Sequence, residues 1–393
     1  MSSVVHSIRD VAERHLCCGC GVCAYLSPDD IRMIDVVEHG RRPLVRDGSD
    51  PRSHETTKVC PGIGLEQSDS PNVSAVMKDL LPAWGPILEV WEGYASDPEL
   101  RFAGSSGGAA SALALYCIEK AGMHGALHIA SRPEAPYLNQ TVLSTTRADL
   151  LARTGSRYAP ASPCDGLSMI EQAPSECVFM GKPCDVAGAR NAAAIRPGLG
   201  SRLALTIAVF CAGTPSTQGT LEMLKAMGIE DPASVADLRY RGNGWPGKAT
   251  ATVRSGAGTV ELRELTYEQS WGEILQKHRQ WRCYVCIDHS GEFADIAVGD
   301  PWYRTDRDDD PGRSLVLVRT ERGRRVVREA IACGFIWWCR LTLRQKAQSL
   351  LGTIKRIRRK HLRQPAECEP YELRASCVSM PGRAEDSLVS RHV

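Results

Sequence analysis

Between residues 86 and about 301, short apolar runs alternate with glycine-containing turns and stretches of helical character. The runs at 125–130, 177–180 and 203–211 are rich in Val, Ile, Leu or Phe and are read as strands. Helices are expected at 109–120, 185–194 and 218–227. Strand, turn and helix alternating in this way predict an α/β (α+β) core. One further apolar run, 314–319, is followed by a helical segment. The other segments differ in texture. Residues 1–65 start rich in cysteine and turn polar, with 38–57 loop-like. Residues 66–85 carry Ser, Asp and Pro and read as a linker. The expected division is therefore 1–65, a small N-terminal segment; 66–85, a linker; 86–320, the main domain; and 321–393, a helical and basic C-terminal region with a poorly ordered tail. No internal repeat or low-complexity tract interrupts it.

Composition removes several function classes. Apolar residues make up 43% and charged residues 24% of the 393, the balance of a globular protein. A net charge of +2 gives no global attraction to nucleic acid. No apolar run approaches the roughly 18 residues that cross a bilayer. The N-terminal stretch lacks the apolar core of a signal peptide, so the expected compartment is the cytoplasm. The histidines are scattered and no nucleophile elbow is present, which leaves hydrolase chemistry without support.

Cysteine changes the picture. Sixteen cysteines in a reducing compartment point to metal ligation or redox chemistry before disulfides. Cys17, Cys20 and Cys23 form C-x2-C-x2-C within CCGCGVC, with Gly19 and Gly21 permitting a tight loop. The bacterial ferredoxin run continues with a fourth Cys before Pro. Here Ser27 precedes Pro28, and the Cys-Pro pair occurs instead at Cys60-Pro61. Cys60 is the expected fourth ligand; Ser27, another oxygen ligand or an open iron are the weaker options, and zinc is the alternative metal. Cys18 reads as a bystander. A second set comprises Cys184 in GKPCD, Cys211 at the end of LALTIAVFC, and the C-x2-C pair Cys283 and Cys286. A thiol at a helix N-terminus is biased toward thiolate, and strand C-termini are where sites in such sheets gather. Together they supply four thiolates for a [4Fe–4S] cluster, although their spacing alone does not dictate that grouping. Cys117, Cys164, Cys177, Cys333, Cys339, Cys368 and Cys377 read as small buried hydrophobes.

With these motifs in order, the chain resembles the coenzyme F420 hydrogenase/dehydrogenase beta-subunit family, whose relatives include 7-hydroxymethyl chlorophyll a reductase and divinyl chlorophyllide reductase. The segments that carry the resemblance are CCGCGVC (17–23), KVCPG (58–62), GSSGGAASALALYCIEK (104–120), GSRYAP (155–160), FMGKPCDVAGAR (179–190), FCAGTPS (210–216), RYRGNGWPG (239–247) and CYVCIDHSGEFADIAVGDPW (283–302). The resemblance implies a flavin-binding α/β core holding FAD beside one or two [4Fe–4S] clusters, with an N-terminal ferredoxin-like iron–sulfur segment. It places Cys184, Cys211, Cys283 and Cys286 in the flavin domain. Ser27 is the departure from the pattern.

Two segments are candidates for the flavin. Gly104, Ser105, Ser106, Gly107 and Gly108 precede a helix whose N-terminus favours an anion; the plain alternative is a tight turn before the helix. Arg239 and Arg241 could face a phosphate or carboxylate, with Asn243 in the following turn; the alternative is a hairpin with solvated arginines. Lys182 is a candidate partner for reduced flavin. Asp295 and Asp300 are expected to hold the metal-site loop. The stretch KRIRRK (355–360) suits docking of an acidic carrier such as ferredoxin or another redox subunit, a membrane surface, or a solvated helix face. The expected activity is that of an iron–sulfur flavoprotein oxidoreductase passing electrons between clusters, FAD and a small-molecule partner. That partner would be an F420-like deazaflavin or another conjugated or sugar-linked compound, with a role in polysaccharide metabolism among the options. The alternative is a non-catalytic electron-transfer or metal-stabilised accessory subunit. A homo-oligomer is compatible with either.

Overall fold

A computed structural model describes residues 5–49, 54–66, 76–78, 80–254, 259–302 and 311–340. The strands are β1 (Ile31–Val36), β2 (Gly40–Val45), β3 (Glu89–Ala95), β4 (Gly125–Arg132), β5 (Ala135–Ser144), β6 (Cys177–Gly181), β7 (Leu203–Val209), β8 (Val235–Arg239), β9 (Ala249–Arg254), β10 (Val260–Leu265), β11 (Ile296–Gly299), β12 (Ser314–Val318) and β13 (Ile336–Arg340). Eight of them form one mixed sheet in the order β13-β3-β12-β11-β7-β6-β4-β5. Its centre is parallel: β4 with β6, β6 with β7, and β7 with β11. Both flanks are antiparallel.

The central strands are apolar on both faces, as strands covered by helices on each side must be. Phe179, Ala208, Ala297, Leu315 and Leu317 point to one face, against Val186, Ala189 and Ala192 of the helix Pro183–Ile195 and Leu199 of Pro197–Arg202. Their neighbours Val178, Ile207, Ile296, Val298 and Val316 point to the other, against Leu113 and Cys117 of Ala109–Glu119 and Val326, Val327 and Ala330 of Glu321–Ala332. The mixed α/β class expected from the alternation of runs is what forms.

The segment boundaries differ from the expected ones at both ends. The helix Glu321–Ala332 and β13 belong to the main sheet, because β13 pairs with β3 and the helix buries an apolar stripe on it. In the expected linker, Val76 and Trp84 are buried and Met77 N donates to Ile87 O, so its described part packs on the core. Residues 40–45, expected as loop, pair with β1 as a small hairpin. KRIRRK and the tail lie outside the described residues. Among the described residues no helix is long and apolar enough to cross a membrane.

Candidate functional site

Three adjacent parallel strands end at one place. Gly181 ends β6 and Lys182 follows it, Phe210 and Cys211 follow β7, and Asp300 follows β11. Carboxyl ends of parallel strands are where open α/β sheets form their crevice. A cavity of about 290 Å³ lies there. Its walls include Gly104–Ser106 and Gly108 from the Gly/Ser turn, Lys182, Cys211, Arg241, and the rings of Tyr158, Tyr267, Trp271 and Trp302.

The Gly/Ser turn is shaped by the protein's own backbone. Gly107 and Gly108 adopt φ of +69° and +71°, and a Cβ on Gly108 would stand 2.4 Å from Leu100 O. Only glycine meets both demands. The Ser105 hydroxyl accepts from Ser156 N at 2.5 Å, and Ser106 Oγ donates to Asp300 at 2.9 Å. The plain reading of this turn thus explains its glycines, while the turn still forms one wall of the cavity.

The two arginines have separate jobs. Arg239 does not line the cavity; its Nη1 donates to Ala103 O at 3.0 Å and to Thr154 O at 3.3 Å. Arg241 lines it but is already neutralised. Its side chain is 2% exposed, and its two terminal nitrogens hold Asp300 at 2.7 and 2.6 Å. Burial works against its charge, yet Asp300 holds its pKa above the usual arginine value. Asp300 also accepts from Trp245 Nε1 at 2.8 Å, so one carboxylate ties together β11, the Gly/Ser turn and RYRGNGW. Asn243 sits at φ 56° in that segment, as its turn reading requires. The expectation that Asp295 and Asp300 brace the cysteine loop is replaced. Asp295 binds Thr206, Thr320 and Arg322, and the residue that braces the loop after Cys286 is Asp288, which accepts from the amides of Ser290, Gly291 and Glu292.

The cysteines fall into two neighbouring sets. Cys60 stands alongside Cys17, Cys20 and Cys23; burial pushes its thiol up to about 12, and the Cys17 thiol adds to the shift. The Ser27 hydroxyl donates to Asp30 Oδ2 at 3.2 Å. In the second set burial raises Cys211, helped by Cys283 and Cys184, and raises Cys286 to about 12, helped by Cys184 and Cys283. Backbone amides already point at these sulfurs: Gly213 N at 3.4 Å from Cys211 Sγ and Thr214 N at 3.3 Å from Cys283 Sγ. Lys182 lies among them, its Nζ 2.6 Å from Asp185 Oδ2. Burial opposes its charge, but Asp185, Cys184 and Cys211 hold its pKa above the usual lysine value. Among the described residues no group of three or more His, Cys, Asp or Glu is disposed to hold a single metal ion.

Two residues given bland roles from the sequence, Cys18 and Cys164, stand at the junction of the sets. The Cys18 thiol is close enough to those of Cys184 and Cys20 for their ionisations to influence one another, and Cys164 N donates to Cys20 O at 2.9 Å. The cavity's rings carry no sequence signal either, because Tyr158, Tyr267, Trp271 and Trp302 follow no spacing that marks a common wall.

Comparison with known proteins gives the lineage. Residues 90–168 match the N-terminal part, and residues 175–342 the C-terminal part, of the family described as "Coenzyme F420 hydrogenase/dehydrogenase, beta subunit". The coenzyme F420 hydrogenase subunit beta of Methanosarcina barkeri is 24% identical over 268 residues, covering 64% of this chain and 82% of that protein. The F420-dependent formate dehydrogenase 1 subunit beta of Methanococcus maripaludis is 25% identical over 250 residues, 63% of this chain and 60% of that one. A chain of the F420-reducing [NiFe] hydrogenase complex from Methanosarcina barkeri shares the fold, with a TM-score of 0.51 at 22% identity over 71% of this chain and 92% of that one. Two consecutive family segments thus run through the sheet and the cavity, and the chain belongs to the coenzyme F420 hydrogenase/dehydrogenase beta subunit family.

Proposed function

We propose that this protein is an oxidoreductase electron-transfer subunit or enzyme that holds a flavin, as FAD, in the cavity and iron–sulfur clusters on the two cysteine sets. The observation that carries the reading is a cavity onto which Lys182 and Cys211 open together with the Gly/Ser turn and an aromatic wall.

The residues suit these groups. The volume stands at the lower edge of small-molecule sites, roughly 300–1,000 Å³, which suits a ring system held at one end. Four thiols with amide N–H groups aimed at two of them, and the Lys182 cation among them, form a donor set for iron and sulfide. Cys184, Cys211, Cys283 and Cys286 would ligate the cluster beside the flavin, and Cys17, Cys20, Cys23 and Cys60 the outer one. Clusters supply one-electron steps and a flavin links these to two-electron hydride transfer. The chain's own contribution is positional. Asp185 fixes the Lys182 ammonium at the cavity wall, where it stabilises negative charge. Asp300 fixes the turn, and the rings exclude water. The partner compound, an F420-like deazaflavin or another conjugated or sugar-linked molecule, would bind at the same cavity, with ferredoxin or another redox subunit exchanging electrons.

The test is anaerobic purification with iron, sulfide and flavin analysis and electron paramagnetic resonance. About one flavin per chain and at least one four-iron signal are expected. A colourless protein after reconstitution with iron, sulfide and FAD would overturn the proposal.

A further inference from the structure

The three-stranded sheet runs β10-β9-β8, so β10 is an edge strand. The β8 side is covered: Arg157 Nη1, for example, donates to Leu238 O at 2.9 Å. Among the described residues no strand pairs with the other side of β10. Its register with β9 puts Val260, Leu262 and Glu264 on the face shared with Arg254, Thr252 and Thr250. Val260 is 65% exposed and Leu262 59%. The strand VELREL has no proline or bulge, two devices that keep an edge from pairing. It does carry charges, and their order is informative.

Consider a second copy laid antiparallel with a two-fold axis at Leu262. Leu262 then faces its own counterpart. Glu261 faces Arg263 of the second copy, and by symmetry Arg263 faces Glu261. Val260 reaches Leu262 of the second copy on the diagonal, so the two apolar residues merge into one patch. Opposite charges across an antiparallel pair are stabilising and like charges are not. A slip of one position sets Glu261 against Glu264 and moves the leucine to the wrong face, so the pattern specifies one register. Within one chain Arg263 Nη2 already bridges Glu261 Oε2 at 2.5 Å, so pairing exchanges this contact for two across the two-fold axis.

We propose that the β10 edge is a self-association surface, joining two copies through antiparallel pairing centred on Leu262. Main-chain hydrogen bonds supply affinity, as in other strand-addition contacts, and the Glu261–Arg263 pairs supply specificity. A strand-sized contact is small beside standard interfaces, so the dimer forms at high protein concentration.

The experiment is sedimentation analysis of the full chain, with circular dichroism to check folding. Wild type should shift from monomer to dimer as concentration rises into the hundred-micromolar range. Leu262→Lys should stay monomeric. Glu261→Arg alone and Arg263→Glu alone should each weaken association at least tenfold, because each sets like charges opposite one another. An equimolar mixture of those two variants should recover it, since the two arginines of one chain then face the two glutamates of the other. A wild type that remains monomeric throughout, a dimer indifferent to Leu262→Lys, or a mixture no better than either variant would each overturn the proposal.

Discussion

The Arg241–Asp300 pair makes a sharp test, because its partners are few and buried. Asp300→Asn keeps the shape and removes the charge. In the folded protein Asp300 accepts four hydrogen bonds, two from Arg241 and one each from Ser106 and Trp245. Asparagine turns an amide toward donors and leaves the guanidinium uncompensated where its side chain is 2% exposed. Removing one partner of a buried pair costs about 3–5 kcal/mol, most of it the stranded charge. Urea unfolding should show a lower midpoint with an unchanged slope. Arg241→Met on the Asp300→Asn background should recover about 2 kcal/mol, giving a coupling energy well above the scatter of independent sites. A loss below about 1 kcal/mol for Asp300→Asn would refute the argument, since the guanidinium would then have water or another anion within reach.

Other expectations follow from single side chains. Burial lowers the His128 pKa to about 4, with Nε2 2.8 Å from Ser144 Oγ. The unfolded chain takes up this proton near pH 6.5 and the folded one resists until about 4. Stability is therefore full above pH 6.5 and falls by about 1.4 kcal/mol per pH unit down to 4, and His128→Gln should flatten that dependence in unfolding measured from pH 7 to 4.5. Gly108→Ala forces a positive φ and a Cβ against Leu100 O, and should cost about 1–3 kcal/mol or more in the same assay. Cys283→Ala should abolish one cluster signal and most flavin reduction in anaerobic spectra; retention of both at wild-type levels would remove Cys283 from the ligand set. Cys60→Ala should deplete only the outer cluster, seen as loss of part of the iron with flavin retained.

The legible parts of the fold are those where one element carries its own signal. The runs at 125–130, 177–180 and 203–211 form β4, β6 and β7, and the helix expected at 109–120 forms as Ala109–Glu119. Strong apolar runs in a buried parallel sheet leave little ambiguity. β2 is hidden because GRRPLV has one proline and two arginines and is held by pairing with β1 rather than by its own apolarity. The segment after residue 320 reads as a separate region because β13 gains its place only through β3, far away in sequence. The site shows the same division. Cys17, Cys20 and Cys23 announce themselves by spacing, whereas the contact of Cys18 with Cys184 depends on tertiary folding that no local pattern encodes. Asp300 looks like a loop brace by position, but its partners come from two segments distant in sequence, the Gly/Ser turn and RYRGNGWPG.

The position of β3 has a consequence for biosynthesis. It lies between β12 and β13, the last strands of the sheet to be translated. While the ribosome works through the intervening residues, on the order of ten seconds or more at roughly 5–20 residues per second, β3 has no native neighbour on either side. A nascent chain stalled before residue 314 would present an unpaired strand with apolar Val90, Trp91 and Tyr94 to chaperones and to its own kind. Truncated expression products of this protein should accordingly be insoluble, even when they contain every cysteine up to Cys286.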